Sequence, residues 1–366
     1  MWNDSTGSIA EMLGYTPIAA VPDQVIWDLA VSPMVKATLG KLGDGVVFTR
    51  DTVEGDFPGD EVFNLNRHQI KGDADREKVR FPYLCSRYRT EYGLFIIKRD
   101  GVKIEASGWF GNPEKGRLEM IYRFGLRDRR YDGTPRANDS CLVAFPYDHP
   151  ENHRVFEIEG KPADLSSLET SLYSFYPGTR LGVSLGEPEL EKFVGKPLTF
   201  VDKPDLFMEH FRRVWAMGRF PGQIGATFPD VGKLGHKSFD DIARYAGYDM
   251  VETCPSHLHV VRWNLNDGYS FVYPEQEAVY RDIEAALASF SGQKLSPPQQ
   301  AWLCYLQCLK AESLPEDFAP LHFGIPWPHQ PVAPDYRYLW LVKPLSDKAR
   351  GLISEKEIEK GKSNAA

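Results

Sequence analysis

The 366-residue chain is 42% hydrophobic and 26% charged, a globular composition that excludes a disordered or low-complexity polymer and can build a core without covalent staples. Its five cysteines are scattered, with no CxxC pair, which argues against a disulfide framework and for a reducing, cytoplasmic setting. A net charge of -8 speaks against a strong nonspecific duplex binder. MWNDSTGSIAEMLGY lacks the basic and apolar regions of a signal peptide, and runs such as LFII and YLWLV are too short to cross a bilayer.

Taken in chain order, Asp23 is placed to cap a short helix, QVIWDLA, with Pro33 as its stop. GDGVVFTRD begins a strand pattern. YGLFIIKR reads as a strand buried on both faces, and Asp100-Gly101 is a hairpin turn signal. In VKIEASGWF the alternation puts Val102, Ile104 and Ala106 inward and Lys103, Glu105 and Ser107 outward. RLEMIYRF alternates again, with Leu118, Met120, Tyr122 and Phe124 opposite Arg117, Glu119 and Arg123. SCLVAFPY and HRVFEIEG add two strands. The stretch 92–160 is therefore expected to form an antiparallel meander.

Beyond residue 200 the texture becomes helical. PDLFMEHFRRVWAMG carries Phe207, Phe211 and Val214 at helical spacing and closes on Gly218. SFDDIARYAG offers Ser238 and Asp241 as a capping box and Gly247 as a stop. SHLHVVRWN, the NDG turn and YSFVYP read as a hairpin. EQEAVYRDIEAALASFSG and, after Ser296 and Pro297, PPQQAWLCYLQCLKAE read as helices. IPWPHQPVAP leads to a last strand, YRYLWLVKP. The expected class is α+β, with a β-rich lobe over 1–200, an α+β lobe over 201–350 and a charged tail over 351–366.

Two short motifs have specific structural requirements. GVSLG, 182–186, matches GxSxG, and the longer GVSLGE resembles the GHSxGE signature of acyl-carrier acyltransferases with Val183 in place of the histidine. A nucleophile elbow at Ser184 needs a buried strand before it and a close helix after it. YPGTRL and EPELEKF supply neither. SFDDIARYAGYD resembles the first helix and turn of lac-repressor-like DNA readers. The recognition helix would then be MVETCPSHLHVV, with Pro255 in its interior at a cost of about 3 kcal/mol.

Chemistry is expected first at HLH. On a strand, His257 and His259 share one face, where they can act as an acid–base pair or chelate a divalent metal, with Glu252 as an oxygen donor and His153, His322 or His329 arriving through the fold. The second candidate is electrostatic. Residues 76–136 hold 15 Lys and Arg against 8 Asp and Glu, a local charge of +7 that leaves -15 to the rest. Arg80, Arg87, Arg89, Lys98, Arg123, Arg127, Arg129 and Arg130, interleaved with Tyr88 and other tyrosines, suit phosphate binding and base stacking. The reading that joins these is a transferase or hydrolase acting on an anionic substrate, either nucleic acid or a phosphorylated small molecule. The alternative is a non-catalytic accessory, immunity-type or assembly protein whose basic face docks an acidic partner, the Trp- and Pro-rich stretch 302–340 suiting an interface as well as a core. A carbohydrate ligand rests only on the 13% aromatic content.

Overall fold

A computed structural model describes residues 14–39, 49–54, 84–89, 93–99, 103–112, 117–131, 157–158, 161–162, 165–228, 230–272, 274–290, 292, 294–328 and 339–351. The fold is α+β. The strands are β1 (Thr49–Glu54), β2 (Leu84–Arg89), β3 (Gly93–Arg99), β4 (Lys103–Asn112), β5 (Arg117–Tyr131), β6 (Glu157–Ile158), β7 (Lys161–Pro162), β8 (Leu165–Ser174), β9 (Met250–Thr253), β10 (Ser270–Phe271) and β11 (Leu341–Pro344). Helix α1 runs through Asp23–Ile26, a π turn at Trp27–Val31 and Ser32–Leu39. The others are α2 (Pro188–Gly195), α3 (Pro204–Met217), α4 (Val231–Ala246), α5 (Leu258–Asn266), α6 (Pro274–Ser289) and α7 (Pro297–Leu306). No helix among the described residues is long and apolar enough to cross a membrane.

The chain divides into two compact units that interleave in sequence. Unit 1 takes residues 1–174, 228–252 and 343–366; unit 2 takes 175–227 and 253–342. The composition shift near residue 200 thus falls inside unit 2.

Unit 1 is built on a sheet in the order β1-β2-β3-β4-β5-β8-β9. All pairs are antiparallel except β8 with β9, which is parallel. Strands β3 and β4 pair antiparallel on either side of Asp100-Gly101, with Arg99 opposite Ile104, and the turn residues themselves lie outside the described residues. SCLVAFPY lies outside the described residues, and of HRVFEIEG only Glu157–Ile158 is described, as β6, which pairs with β7. Strand alternation sorts the sheet into two faces. One carries Ile97, Ile104, Ala106, Phe124, Leu126 and Leu168, all buried. Helix α4 packs on it, with Phe239 6.2 Å from Phe124 and Gly235 so close to Leu172 that a Cβ would lie 2.2 Å from its Cδ2. At the foot of the sheet Asp249 accepts from the backbone N–H and hydroxyl of Ser166 and from the hydroxyl of Ser346, which ties β9 to β8.

The other face departs from expectation. Glu105, Ser107 and Arg123 were assigned to solvent by their alternation; all three are buried, as are Arg127, Glu169 and Glu252. Strand alternation separates faces but does not say which face meets water. The charges are retained because they pair: Arg123 with Glu105, and Arg127 with Glu169 at 3.8 Å. Charges withdrawn from water persist when they are matched in this way.

Several helix ends also differ. Pro33 does not stop α1. It follows the π turn, in which the Ser32 N–H reaches back to Trp27, and this wider turn accommodates a residue with no N–H to give. Ser238 and Asp241 are interior to α4, which starts at Val231, while Gly247 ends it in the left-handed region at φ 78°. SHLHVVRWN is helix α5 and not a strand. Strand β9 follows α4, so the segment has no recognition helix.

Unit 2 is mostly helical. Helix α3 begins with Pro204, ends on Gly218 at φ 65° and buries Phe207, Met208, His210, Phe211 and Val214. The capping box at Ser296 is made with Gln299, and Pro297 opens α7. Its core is aromatic. Phe193 stacks on Trp302 at 5.3 Å and meets Phe207 edge-on at 5.1 Å, and Phe211 meets Phe318 edge-on at 5.2 Å. Trp302 and Trp327 are fully buried and Trp340 nearly so, so these tryptophans of 302–340 are core residues and not a docking surface.

One close contact in unit 1 gives a stability prediction. Gly108 faces Tyr122 across β4–β5 at a bulge where the register shifts, and a Cβ there would lie 2.3 Å from the Tyr122 ring. Because Tyr122 is itself fully buried, the ring cannot swing away. Gly108→Ala is expected to lower unfolding free energy by about 1–3 kcal/mol, and adding Tyr122→Leu should recover part of that loss in a chemical denaturation series.

Candidate functional site

The site that unites chemistry-bearing side chains in unit 2 is assembled around the turn 219–223 between α3 and the following segment. Three bonds shape the turn: Phe220 N–H donates to Gln223 Oε1 at 3.0 Å, Gln223 N–H to the Phe220 carbonyl at 3.1 Å, and Gly222 N–H to the Val194 carbonyl at 2.7 Å. Trp302, from the aromatic core, donates its indole N–H to the Arg219 carbonyl at 2.7 Å. The turn is therefore anchored to the buried aromatic core of the unit.

Helix α5 brings the histidines to this turn. His257 is its N-cap in extended conformation, and its carbonyl accepts from Val260 and Val261 at 3.0 Å each. The two imidazoles lie nearly parallel, at 6°, with centroids 5.5 Å apart. Although the strand is absent, the two rings still sit side by side, now across the first turn of a helix.

His257 is oriented by a chain of hydrogen bonds. The Tyr305 hydroxyl donates to the Ser256 carbonyl at 2.7 Å, and His257 Nδ1 also bonds that hydroxyl. A phenol has one proton. Because the carbonyl can only accept, the proton goes to Ser256, and His257 must donate from Nδ1 to the phenol oxygen. The network thus assigns the neutral ring its Nδ1–H tautomer, with a lone pair on Nε2. Trp327 donates to the same Ser256 carbonyl at 2.9 Å, saturating it. Gly222 lies against Nε2: at φ 81° it needs glycine for its backbone, and a Cβ would come within 2.4 Å of that nitrogen.

His259 is different in kind. It is buried, packed 4.4 Å from Phe220 and edge-on to Trp263 at 5.0 Å. Its Nδ1 is buried with no hydrogen-bond partner. Burial first, and the positive charge of Arg262 second, push its pKa down to about 3. At neutral pH it is an uncharged ring that can give or take a hydrogen bond. The acid–base pair expected from the sequence is consequently asymmetric. Arg262 is itself committed: its fork grips Glu284 at 2.8 and 2.7 Å and reaches Gln300 at 2.8 Å.

Arg219 is the residue that sequence reasoning missed. Its guanidinium makes one long bond, 3.4 Å, to the Gln223 carbonyl, and it pairs with no carboxylate among the described residues. A lone arginine in a short turn gives no periodic signal; only the Pro-Gly pair at 221–222 marked the place as a turn.

The remaining candidates belong elsewhere. Glu252 is fully buried on β9, in register with Glu169 of β8 in unit 1. His322 Nε2 lies 3.2 Å from the Leu309 carbonyl, and His153 and His329 fall outside the described residues. Among the described residues no group of three His, Cys, Asp or Glu side chains could hold a metal ion. Arg80 is likewise outside them. Register places Arg87, Arg89, Lys98, Lys103, Arg123, Arg127 and Arg129 on one face of the unit 1 sheet, and Tyr88 and Arg130 on the other. Two of those seven, Arg123 and Arg127, are already spent on Glu105 and Glu169. Ser184 stands on the exposed single turn Leu181–Ser184 and donates to the Arg180 carbonyl at 2.9 Å, with no strand leading directly into it. Cys304 and Cys308 are packed thiols, and burial raises both, Cys308 to about 12.

Comparison with protein-family profiles, with curated proteins and with solved structures finds no match for this chain.

Two measurements test this geometry. In nitrogen-detected NMR, His257 should show the Nδ1–H tautomer, and Tyr305→Phe should shift its population toward Nε2–H. For His259, the folded pKa lies below its ordinary 6.5, so the unfolded chain gains a proton first as pH falls. Its contribution to stability is full above pH 6.5 and declines from there toward pH 3, by roughly 1 kcal/mol per pH unit. His259→Phe should flatten that dependence between pH 6.5 and 4.5 in denaturant titrations.

Proposed function

We propose that the protein is an enzyme acting on an anionic substrate held at the turn 219–223 of unit 2. Arg219 binds the charged group, His257 moves the proton through Nε2, and His259 contributes a neutral hydrogen bond. The observation that carries this reading is one five-residue turn that bears Arg219, an arginine with no acidic partner among the described residues, and sets Gly222 against the tautomer-fixed His257 and Phe220 against the buried His259 with its unused ring nitrogen. An arginine with open donors is suited to phosphate or carboxylate. An imidazole whose far nitrogen is fixed by a hydrogen bond presents a defined lone pair, as proton transfer requires.

Taken by itself, unit 1 carries Arg87, Arg89, Lys98, Lys103 and Arg129 at register positions on one face of its sheet, a concentration of positive charge that suits an anionic ligand of that unit. The reaction class that fits is phosphoryl transfer from, or hydrolysis of, a phosphorylated compound: a hydroxyl or water deprotonated by His257 Nε2 attacks phosphorus, the P–O bond to the ester oxygen breaks, and that oxygen leaves with the proton returned by the imidazolium.

Calorimetric titration of phosphorylated compounds across a salt series tests this. Arg219→Ala should weaken binding about ten-fold or more, as loss of a charge-assisted contact does, and make it less salt-dependent. His257→Gln should leave binding in place and lower turnover of a phosphate-ester panel by on the order of a hundred-fold. Absence of binding by any anion, or indifference to Arg219→Ala, overturns the reading in favour of a protein that docks a partner.

A further inference from the structure

The same turn carries a feature that the proton and charge chemistry does not use. Trp263 is 56% exposed, a large apolar surface left in water on a helix that buries Leu258, His259, Val261 and Asn264. His259 meets it edge-on, at 82°, and Phe220 lies 6.3 Å away at 65°. Neither ring stacks on the indole. Beside it lies the buried, partnerless Nδ1 of His259, a nitrogen for which water has not been exchanged for any protein group. A buried polar atom of this kind costs free energy until something pairs with it.

We infer that the substrate carries one flat heteroaromatic ring, laid on Trp263 with its polar edge bonded to His259, so that the ligand class is a mononucleotide. The inference rests on the proposed anion site, because Arg219 is what would take the phosphate. Stacking on an exposed aromatic face accepts any π surface, and the single neutral imidazole adds an edge contact that a sugar phosphate or inorganic phosphate cannot make. Among the described residues of unit 2, Trp263 is the exposed aromatic platform and Arg219 the arginine with no acidic partner. One platform and one cation match one base and one phosphate. A polymer is tracked by successive platforms along a basic groove.

The test is calorimetry on the full chain with the common nucleoside monophosphates, the corresponding nucleosides, ribose 5-phosphate, inorganic phosphate and a short oligonucleotide. At least one mononucleotide is expected to bind roughly ten-fold or more tighter than ribose 5-phosphate. Trp263→Ala should erase most of that margin and leave ribose 5-phosphate binding unchanged, while Trp263→Phe keeps it. Because Trp263 is exposed, folding of both variants is checked by circular dichroism, and the ligand series on the unaltered chain decides the matter by itself. Equal binding of ribose 5-phosphate and mononucleotides, both weakened by Arg219→Ala, overturns the ring and leaves the anion site standing. Binding of nucleosides as tight as nucleotides, indifferent to Arg219→Ala, overturns the anion site instead. An oligonucleotide that binds orders of magnitude more tightly than its monomers overturns the mononucleotide class, and no binding at all overturns both readings.

Discussion

The Ser256 carbonyl is the constraint on which the proposed site depends. It accepts from Tyr305 and Trp327, and so commits the only proton of the phenol. That commitment passes outward: the phenol oxygen can then only accept, His257 must donate from Nδ1, and Nε2 is left as the basic nitrogen. The residues at the inner end are core residues, with Tyr305 and Trp327 both buried. A hydrophobic interior thus sets the protonation geometry of a half-buried imidazole, through one backbone oxygen and one hydroxyl. A carboxylate in the place of Tyr305 would hold the same tautomer but would also favour the charged ring; a phenol orients without adding charge.

The sheet of unit 1 shows a different use of polarity. Its register collects Arg and Lys positions on one face, but the described charges near the centre of that face are buried and matched by glutamates. Such pairs contribute little net stability relative to apolar packing, and removing one partner is costly. They do impose a register. Shifting β5 by one residue against β4 or β8 would turn Arg123 and Arg127 to the apolar face and bring Phe124 and Leu126 against Glu105 and Glu169. The ion pairs therefore penalise the wrong pairing in an otherwise uniform antiparallel array.

Much of the fold was legible where a local rule acts alone. The antiparallel pairing of β3 with β4 is what the turn signal between them predicts, helix α3 follows from the spacing of Phe207, Phe211 and Val214, and its end from Gly218. The opening of α7 follows from Ser296 and Pro297. The failures arose where two rules compete. In SHLHVVRWN the alternation of His257, His259 and Val261 satisfies a strand, but the same residues also place Leu258, Val261 and Leu265 one turn apart, and tertiary burial of Leu258 and Val261 decides for the helix. In SFDDIARYAG the Ser-x-x-Asp pattern is a capping box only if a helix begins there; Val231, Phe239 and Ile242 continue one apolar stripe through it instead. The paired histidines were found because both readings bring them together. Arg219 was not, since its significance lies in having no carboxylate partner among the described residues, which is visible only in three dimensions.

The two imidazoles then differ for reasons that can be traced. His259 sits against Phe220 and Trp263, with Arg262 on the same helix. Arg262 would be a second cation for an anionic ligand were it not clamped to Glu284, whose carboxyl burial would raise but whose bonds to Arg262 and Tyr280 hold it low. That clamp faces Gln300 of α7 and fixes α5 to α6 and α7. The arginine is thereby made structural, and its charge, still felt at His259, helps to keep that ring neutral. His257 is the N-cap, at the edge of the helix and only half-buried, with its orientation supplied from the core. A position that is oriented but accessible suits proton transfer, and a position that is buried and neutral suits recognition. Helix α5 with its N-cap, entered through Ser256 and clamped by Arg262, is enough to produce both from the same side chain.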